Sequence, residues 1–217
     1  MIAAEERLQL LDWKQKVTEL YQMVRTAEDL SAVSTTWRAG RDALFRNHPQ
    51  SPLPARDRAA HRALPYYPYD PVWRILADVA SVAPTLCKIA ASDGVVYRFT
   101  HFATARFVLS GRPHGLPLYW LEGYGGGLFL PFRDATSGTE TYAAGRYLVD
   151  TVKGADLGME AGRLILDFNF AYNPSCAYDP AWSCPLAPRG SHLQVPVRAG
   201  ERAPEPAIAG AIDHERD

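Results

Sequence analysis

The sequence lacks the long apolar runs that mark membrane proteins. No uninterrupted apolar stretch reaches the roughly 18 residues that a membrane-spanning helix requires. The N-terminal residues MIAAEERLQLLDWKQKV carry charges from Glu5 onward, and so they lack the apolar centre of a secretory signal. These absences predict a protein without a membrane partner, and the cytoplasm is the expected compartment.

The sequence also lacks an excess of charge of either sign. Its formal net charge is −1, and its lysines and arginines do not form the dense stripe that neutralises nucleic-acid phosphates. Nucleic acid is therefore not an expected partner. The glycine-rich stretch GYGGG, residues 123–127, lies between predicted strands and has no following helix, which argues against a nucleotide site.

Cysteine is scarce. The chain has Cys87, Cys176 and Cys184, and an odd number without an export signal predicts free thiols rather than a disulfide framework. A Cys176–Cys184 disulfide is the less favoured alternative. Seven residues separate Cys176 from Cys184 and Cys184 from His192, a spacing wider than that of zinc knuckles. We therefore expect no metal and no cofactor, and these three residues are only a fallback zinc set.

What remains is the composition of an ordinary globular protein. Hydrophobic residues make up 47% of the 217 residues and charged residues 22%. A chain of this length is long enough for one β-rich domain with an appended element.

The N-terminal part predicts helices. Apolar residues such as Trp13 and Val17 recur at helical spacing, and Asp29 is a candidate N-cap for a second helix that stops at His48-Pro49. Residues 1–48 therefore predict a helical hairpin. Residues 49–72, which include SPLP and PYYPYDP, predict a proline- and tyrosine-rich extended crossing.

The rest of the chain predicts strands. Between residues 73 and 198 short apolar runs alternate with turn residues, and Asp93-Gly94 is the sharpest hairpin signal. The expected fold is α+β and mainly β: the helical hairpin is followed by an antiparallel β-meander that forms a barrel-like or two-sheet sandwich body. Residues 199–217 lack periodicity and predict a flexible tail.

Candidate functional residues concentrate in a polar cassette, residues 131–192. It contains PFRDATSGTETY, residues 131–142, and DFNFAYNPSCAYDPAWSCPLAP, residues 167–188. Strand alternation places Asp167 and Asn169 on one face, and Arg146 reaches Asp167 if their strands are neighbours. The candidate ligand-binding residues are Arg133, Asp134, Thr141, Tyr142, Arg146, Asp167, Asn169 and Asn173.

Three functions fit these residues. The leading hypothesis is a pocket for a small polar or anionic molecule, in which arginine holds charge and the other polar groups fix orientation. The first alternative is an enzyme acting on a small acid, with Asp167 as general base and Arg146 as anion and transition-state stabiliser. The second is a structural or interaction protein, in which the polar groups only lock the fold and the N-terminal helices dock on a partner or form a homodimer.

Five motifs resemble a family. They are W-R-x-x-R (Trp37, Arg38, Arg41), HPQSPL (48–53), LPFRDATSGTETYAAGRYL (130–148), the stretch 167–188 and VRAGE (197–201). Together they resemble the bacterial and archaeal domain of unknown function 1684 over about residues 37–201. The resemblance assigns Thr141, Tyr142, Gly145, Arg146, Asp167, Asn169, Asn173, Pro174, Cys176 and Cys184 to the family signature. Ser191 stands where the family pattern carries Asn, and the resemblance implies no activity or cofactor.

Overall fold

Two helices form the N-terminal part of the protein. The computed structural model describes residues 4–204. Helix α1 covers Ala4–Thr26 and α2 covers Leu30–Asn47, and a single turn of helix, α3, follows at Ala55–Arg58. The Asp29 carboxylate accepts a 2.9 Å hydrogen bond from the Ala32 amide, so it caps α2 as predicted. None of the helices within residues 4–204 combines the length and the apolar character needed to cross a bilayer.

Seven strands form one antiparallel sheet. They are β1 (Arg74–Ala90), β2 (Val96–Leu109), β3 (Arg112–Leu121), β4 (Leu128–Phe132), β5 (Arg146–Asp150), β6 (Met159–Glu160) and β7 (Arg163–Asp167). Their order across the sheet is β5-β4-β3-β2-β1-β7-β6. The sheet is not closed into a barrel, although an isolated bridge between Tyr147 and Tyr172 joins β5 to the chain that follows β7. The mainly β, antiparallel fold class is therefore confirmed.

The first two strands are longer than predicted. Each joins two of the apolar runs that the sequence separates, because a register shift bends the strand without ending it. The shifts lie between Ser81 and Thr85 in β1 and between His101 and Ala103 in the β2–β3 ladder. The hairpin turn between β1 and β2 contains Gly94 at φ 85°, as the Asp93-Gly94 pair predicts.

Two later runs differ from the prediction. β7 ends at Asp167, whose carboxylate accepts a 3.0 Å hydrogen bond from the Asn169 amide and so starts a 3-10 turn at Phe168–Phe170. The strand alternation expected to include Asn169 is therefore wrong beyond Asp167. Residues 193–197 belong to no strand. Pro196 has no amide hydrogen to donate to a ladder, and the Val197 amide donates to the Asp134 side chain.

Both faces of the sheet contribute to the core. One hydrophobic cluster contains Leu116, Leu130, Phe132 and Leu166 from three strands, and a second contains Trp37 and Tyr21 from the helices. The neighbours Phe129 and Leu130 in β4 belong to different clusters, so this part of the sheet is buried on both sides. Trp37 is fully buried and contacts Tyr21, Tyr66 and Phe170 edge to face, which ties the helices to the sheet.

The segment after Arg198 does not behave as a flexible tail at its beginning. Ala199, Gly200 and Glu201 are buried, and Glu201 is completely inaccessible to solvent. The Glu201 amide donates to the Ala171 carbonyl at 2.9 Å and the Tyr67 amide donates to the Gly200 carbonyl at 3.0 Å. The packed body therefore extends through Glu201, and the remainder of the predicted tail, residues 205–217, lies outside the described residues.

Candidate functional site

Arg146 lies inside the protein and holds the C-terminal segment. Its side chain is 1% exposed and stacks 5.0 Å from the centre of the Phe132 ring. The guanidinium donates hydrogen bonds to the carbonyls of Val197, Ala199 and Glu201 and to the Asp134 carboxylate. Burial lowers the pKa of Arg146, and the Asp134 charge opposes that effect. The donors of this arginine are thus directed at the protein's own chain.

Asp134 is the ion-pair partner of Arg146, and both of its carboxylate oxygens accept hydrogen bonds. Its Oδ2 accepts from Arg146 at 3.2 Å and from the Val197 amide at 2.7 Å. Its Oδ1 accepts from the amide and hydroxyl of Thr136, and that hydroxyl lies 3.0 Å from the hydroxyl of Thr141. The side chains of Asp134, Thr136 and Thr141 are buried, so this network closes the 134–141 turn around the ion pair.

Asp167 and Asn169 form a second buried unit. Asp167 Oδ1 accepts from the amide and from the side-chain nitrogen of Asn169, whereas Asp167 Oδ2 is buried and has no hydrogen-bond partner within residues 4–204. Asn169 also exchanges two hydrogen bonds with the backbone of Asp70, at 3.0 and 2.8 Å. Burial raises the pKa of Asp167, while the bonds from Asn169 act in the opposite direction.

The expected meeting of Arg146 and Asp167 does not take place. In the sheet order, β5 and β7 are separated by β4, β3, β2 and β1, so the condition for that contact, that the two strands are neighbours, is not met. The hydrogen bonds of Arg146 go to Asp134 and three carbonyls, and those of Asp167 go to Asn169. The two residues therefore belong to separate buried units.

A third buried unit contains Asn173 and two residues that sequence reasoning left without a role. Arg41 in α2 and Glu201 form an ion pair at 3.0 Å, with side-chain exposures of 7% and 0%. The same Glu201 oxygen, Oε2, accepts a 2.9 Å hydrogen bond from the Asn173 amide, and the Asn173 side chain donates to the Arg202 carbonyl at 2.7 Å. Burial raises the pKa of Glu201 to about 7. The motifs W-R-x-x-R and VRAGE contain this pair, which is the signal that could have found it.

The remaining candidates lie in different surroundings. Arg133 is exposed and makes no side-chain hydrogen bond or ion pair with residues 4–204. The Tyr142 hydroxyl lies 3.8 Å from the Cys176 sulfur. Cys176 and Cys184 are buried free thiols in contact, but His192 is exposed, and no group of three metal-binding side chains assembles within the described part of the chain.

An open groove of about 650 Å³ lies on the opposite side of the sheet from the first hydrophobic cluster. It runs over β7, β1, β2 and β3, and its polar lining includes Asp78, Thr104, Arg106 and Arg163. Asp78 pairs with Arg106 in the β1–β2 ladder, and Arg106 pairs with Gly115 in the β2–β3 ladder. Ala77 pairs with Leu164, so Arg163 lies across from Asp78 on the other side.

The charged side chains of this groove, Asp78, Arg106 and Arg163, are exposed and form no ion pair within residues 4–204. Neither Arg106 nor Arg163 forms a side-chain hydrogen bond or an ion pair with residues 4–204, even though Asp78 lies between them. Arg163, Asp78, Arg106 and Gly115 form a row across the four strands. Gly115 contributes no side chain to this row, and a Cβ there would lie 3.0 Å from the Thr104 methyl group. The row therefore presents two guanidinium groups and one carboxylate beside an open space. Sequence reasoning missed it, because isolated charges on alternating strands are typical of any solvated sheet face.

A second groove, of about 600 Å³, lies between α1 and α2. Leu20, Met23, Gly40, Ala43 and Leu44 form its apolar part. Charged side chains, Asp12, Lys16 and Glu19, lie at its rim. This groove is mainly apolar, whereas the groove on the sheet is lined by charged side chains, so the two would bind different kinds of ligand.

Comparison with known proteins identifies relatives without an assigned activity. The model of a family described as protein of unknown function (DUF1684) matches residues 59–202, which confirms the resemblance predicted from the motifs. A solution NMR structure of an uncharacterised protein from Haloarcula marismortui is 36% identical over 83% of this chain and 97% of that chain, with a TM-score of 0.59. No curated protein matches this chain.

Proposed function

The chain belongs to the DUF1684 family of proteins of unknown function, and from that premise we propose that its β-rich domain binds a small polar or anionic molecule in the sheet groove. The observation that carries the proposal is the pair of exposed, unpaired guanidinium groups of Arg106 and Arg163 on either side of Asp78. Arg146 and Asp167 take structural roles in this proposal. Arg133 is exposed but is not among the residues that line the groove.

The chemistry of the row favours a ligand with two kinds of polar group. A carboxylate or phosphate accepts charge-assisted hydrogen bonds from Arg106 and Arg163, and each such bond contributes about 1.5–3 kcal/mol. Asp78 accepts a bond from a hydroxyl or ammonium group on the same molecule. The apolar lining, which includes Leu76 and Val108, covers a short carbon skeleton.

Gly115 is the structural reason that a ligand has room. It occupies the row beside Arg106, where any larger residue would project into the groove. Its φ lies outside the left-handed region, so a substitution there adds a side chain without strain of that kind. Gly115→Leu therefore fills the groove and leaves the two arginines in place.

The test is a thermal-shift screen of the full chain with inorganic phosphate, phosphorylated sugars and small hydroxy acids. A probe at about 100 times its Kd stabilises the folded state by about 2.7 kcal/mol, which raises Tm by roughly 5–10 °C for a chain of this size. Arg106→Gln or Arg163→Gln is expected to weaken that probe about 10-fold. Lys88→Gln, an exposed charge at the other end of β1, is the matched control and leaves binding unchanged.

Two results would remove the proposal. One is a screen in which no probe raises Tm. The other is a bound probe whose affinity does not change in Arg106→Gln, Arg163→Gln and Gly115→Leu, because such a probe binds elsewhere.

The homodimer is a second candidate, and the first turns of α1 favour it. Leu8 and Leu11, three residues apart, expose 66% and 51% of their surface. Two copies of this face can cover each other by antiparallel helix packing about a two-fold axis. Light scattering of the chain and of a Leu8→Glu/Leu11→Glu variant tests the idea, since a monomer in both cases contradicts it.

We also propose that the protein is cytoplasmic. Its free thiols support this location.

A further inference from the structure

The two cysteines of the polar cassette lie against each other. Cys176 is in the 3-10 turn Ser175–Ala177, and its amide donates to the Cys184 sulfur at 3.4 Å. Cys184 is held in place by its own chain: its amide donates to the Ser92 hydroxyl at 3.2 Å, and the Ser92 amide donates to its carbonyl at 3.0 Å. Both residues are buried, with exposures of 8% and 2%.

The environment makes the two sulfurs chemically different. Hydrogen bonds from the Cys184 thiol, Ser92 and Tyr142 lower the pKa of Cys176 to about 6, against the effect of burial. The bond to Cys176 and burial raise the pKa of Cys184. The environment therefore favours the thiolate, the reactive form, at Cys176 over Cys184.

We propose that Cys176 and Cys184 are a peroxide-reactive thiol pair that forms an internal disulfide. The Cys176 thiolate attacks one oxygen of hydrogen peroxide, the O–O bond breaks, and Cys176 becomes a sulfenic acid while hydroxide leaves and is protonated to water. The Cys184 sulfur then attacks the Cys176 sulfur and the S–O bond breaks. The Cys184 proton leaves with that oxygen as a second water, and the two sulfurs have together lost two electrons.

Three groups of the fold have definite roles in this reaction. Tyr142 lies 3.8 Å from the Cys176 sulfur and its hydroxyl stabilises the thiolate. Ser92 fixes the Cys184 backbone within reach of Cys176. Lys153 is the cation that acts on Cys184 and lowers its pKa, against the larger effects of Cys176 and burial. Cys87 lies apart in β1, where its thiol bonds to the Thr85 carbonyl, so it is an internal control.

The experiment treats the full chain with one equivalent of hydrogen peroxide, alkylates the remaining thiols and maps the peptides by mass spectrometry. The expected product is a Cys176–Cys184 cross-link with Cys87 alkylated, and Cys87→Ser gives the same cross-link. Cys184→Ser and Cys184→Ala are expected to stop at a sulfenic acid on Cys176 that dimedone traps. Cys176→Ser gives neither product.

A pH series separates a reactive thiolate from two thiols that merely pack together. The rate of cross-linking is expected to be half-maximal near the Cys176 pKa of about 6 and to reach a plateau above it. In Tyr142→Phe, which keeps the ring but loses the hydroxyl, this midpoint moves to higher pH by the loss of one hydrogen bond. The proposal is overturned if Cys87 is oxidised before Cys176, if the folded chain forms no internal cross-link, or if Tyr142→Phe leaves the midpoint in place.

Discussion

Replacing Arg146 by methionine is the sharpest test of what the polar cassette does. Methionine fills much of the same volume but carries no donors, so the change removes every hydrogen bond of the guanidinium at once. The carbonyls of Val197, Ala199 and Glu201 lose their side-chain donor, and Asp134 loses its counter-charge. If Arg146 locks the C-terminal segment, this change must destabilise the protein.

The magnitude follows from burial. Arg146 and Asp134 have side-chain exposures of 1% and 0%, so water cannot replace the missing donors without local opening. Each buried polar group left without a partner costs about 1–3 kcal/mol, and removing one member of a buried ion pair costs about 3–5 kcal/mol. We expect a loss of about 4 kcal/mol in the free energy of unfolding, which lowers Tm by roughly 8–16 °C.

Guanidinium chloride denaturation followed by circular dichroism measures this loss. Arg133→Met is the matched control, since Arg133 is exposed, lies in the same cassette and makes no side-chain bond within residues 4–204. Its expected effect is below about 0.5 kcal/mol. A second measurement, in Arg146→Met/Asp134→Asn, should show a loss smaller than the sum of the single changes by about 1–3 kcal/mol, because the unpaired charge is gone.

The reasoning fails if Arg146→Met costs less than about 1 kcal/mol, because breaking a buried ion pair costs about 3–5 kcal/mol. Such a result would mean that solvent reaches the guanidinium and that its donors are free for a ligand. Arg146 would then be available to bind a ligand, and the cassette would not lock the C-terminal segment.

Two further predictions concern the segment that Arg146 holds. Because burial raises the pKa of Glu201 from 4.5 to about 7, the folded state binds this proton more tightly than the unfolded chain, so stability falls as pH rises from about 4.5 to 7 and is level above. The free energy of unfolding falls by about 3 kcal/mol over this range, and Glu201→Gln should remove that part of the pH dependence. Denaturation of both proteins across the range measures it, and stability curves that run parallel would contradict the prediction. Gly200→Ala should cost more than about 2 kcal/mol, because φ is 74° and the new Cβ would lie 2.6 Å from the carbonyl oxygens of Ala171 and Phe168. Gly94→Ala, at φ 85° with nothing within 4 Å, should cost only about 1 kcal/mol in the same assay, and equal losses would show that the close contact is relieved.

The sequence selected buried polar residues of the polar cassette, but it did not predict which groups they contact. Alternation and polar density selected Asp134, Arg146, Asp167 and Asn173, and all four are buried and hydrogen-bonded. Their partners were not predictable from spacing. Asp134 and Arg146 are 12 positions apart in the chain, and the rest of the Arg146 bonds go to carbonyls more than 50 positions away. Nothing in a single sequence says which distant backbone groups will come within reach of a guanidinium.

The arginines of the sheet groove show the same limit of prediction from a single sequence. Arg106 and Arg163 are unremarkable as isolated charges, and they acquire a common site only because β1 lies between β2 and β7. That order is a property of the whole sheet. Local alternation tells which face a side chain takes, but it carries no information on which strand lies next to it.

The sequence by itself determined the local features of this protein. Helical periodicity and the Asp29 cap, the Asp93-Gly94 turn and the antiparallel β character all follow from forces between residues close in the chain. The tertiary structure alone decided that β5 and β7 are not neighbours, that β7 ends at Asp167, and that residues 199–201 are buried by Arg146 and Arg41. The physical reason is that burial and ion pairing join groups from distant parts of the chain, and their free energy depends on the assembled fold.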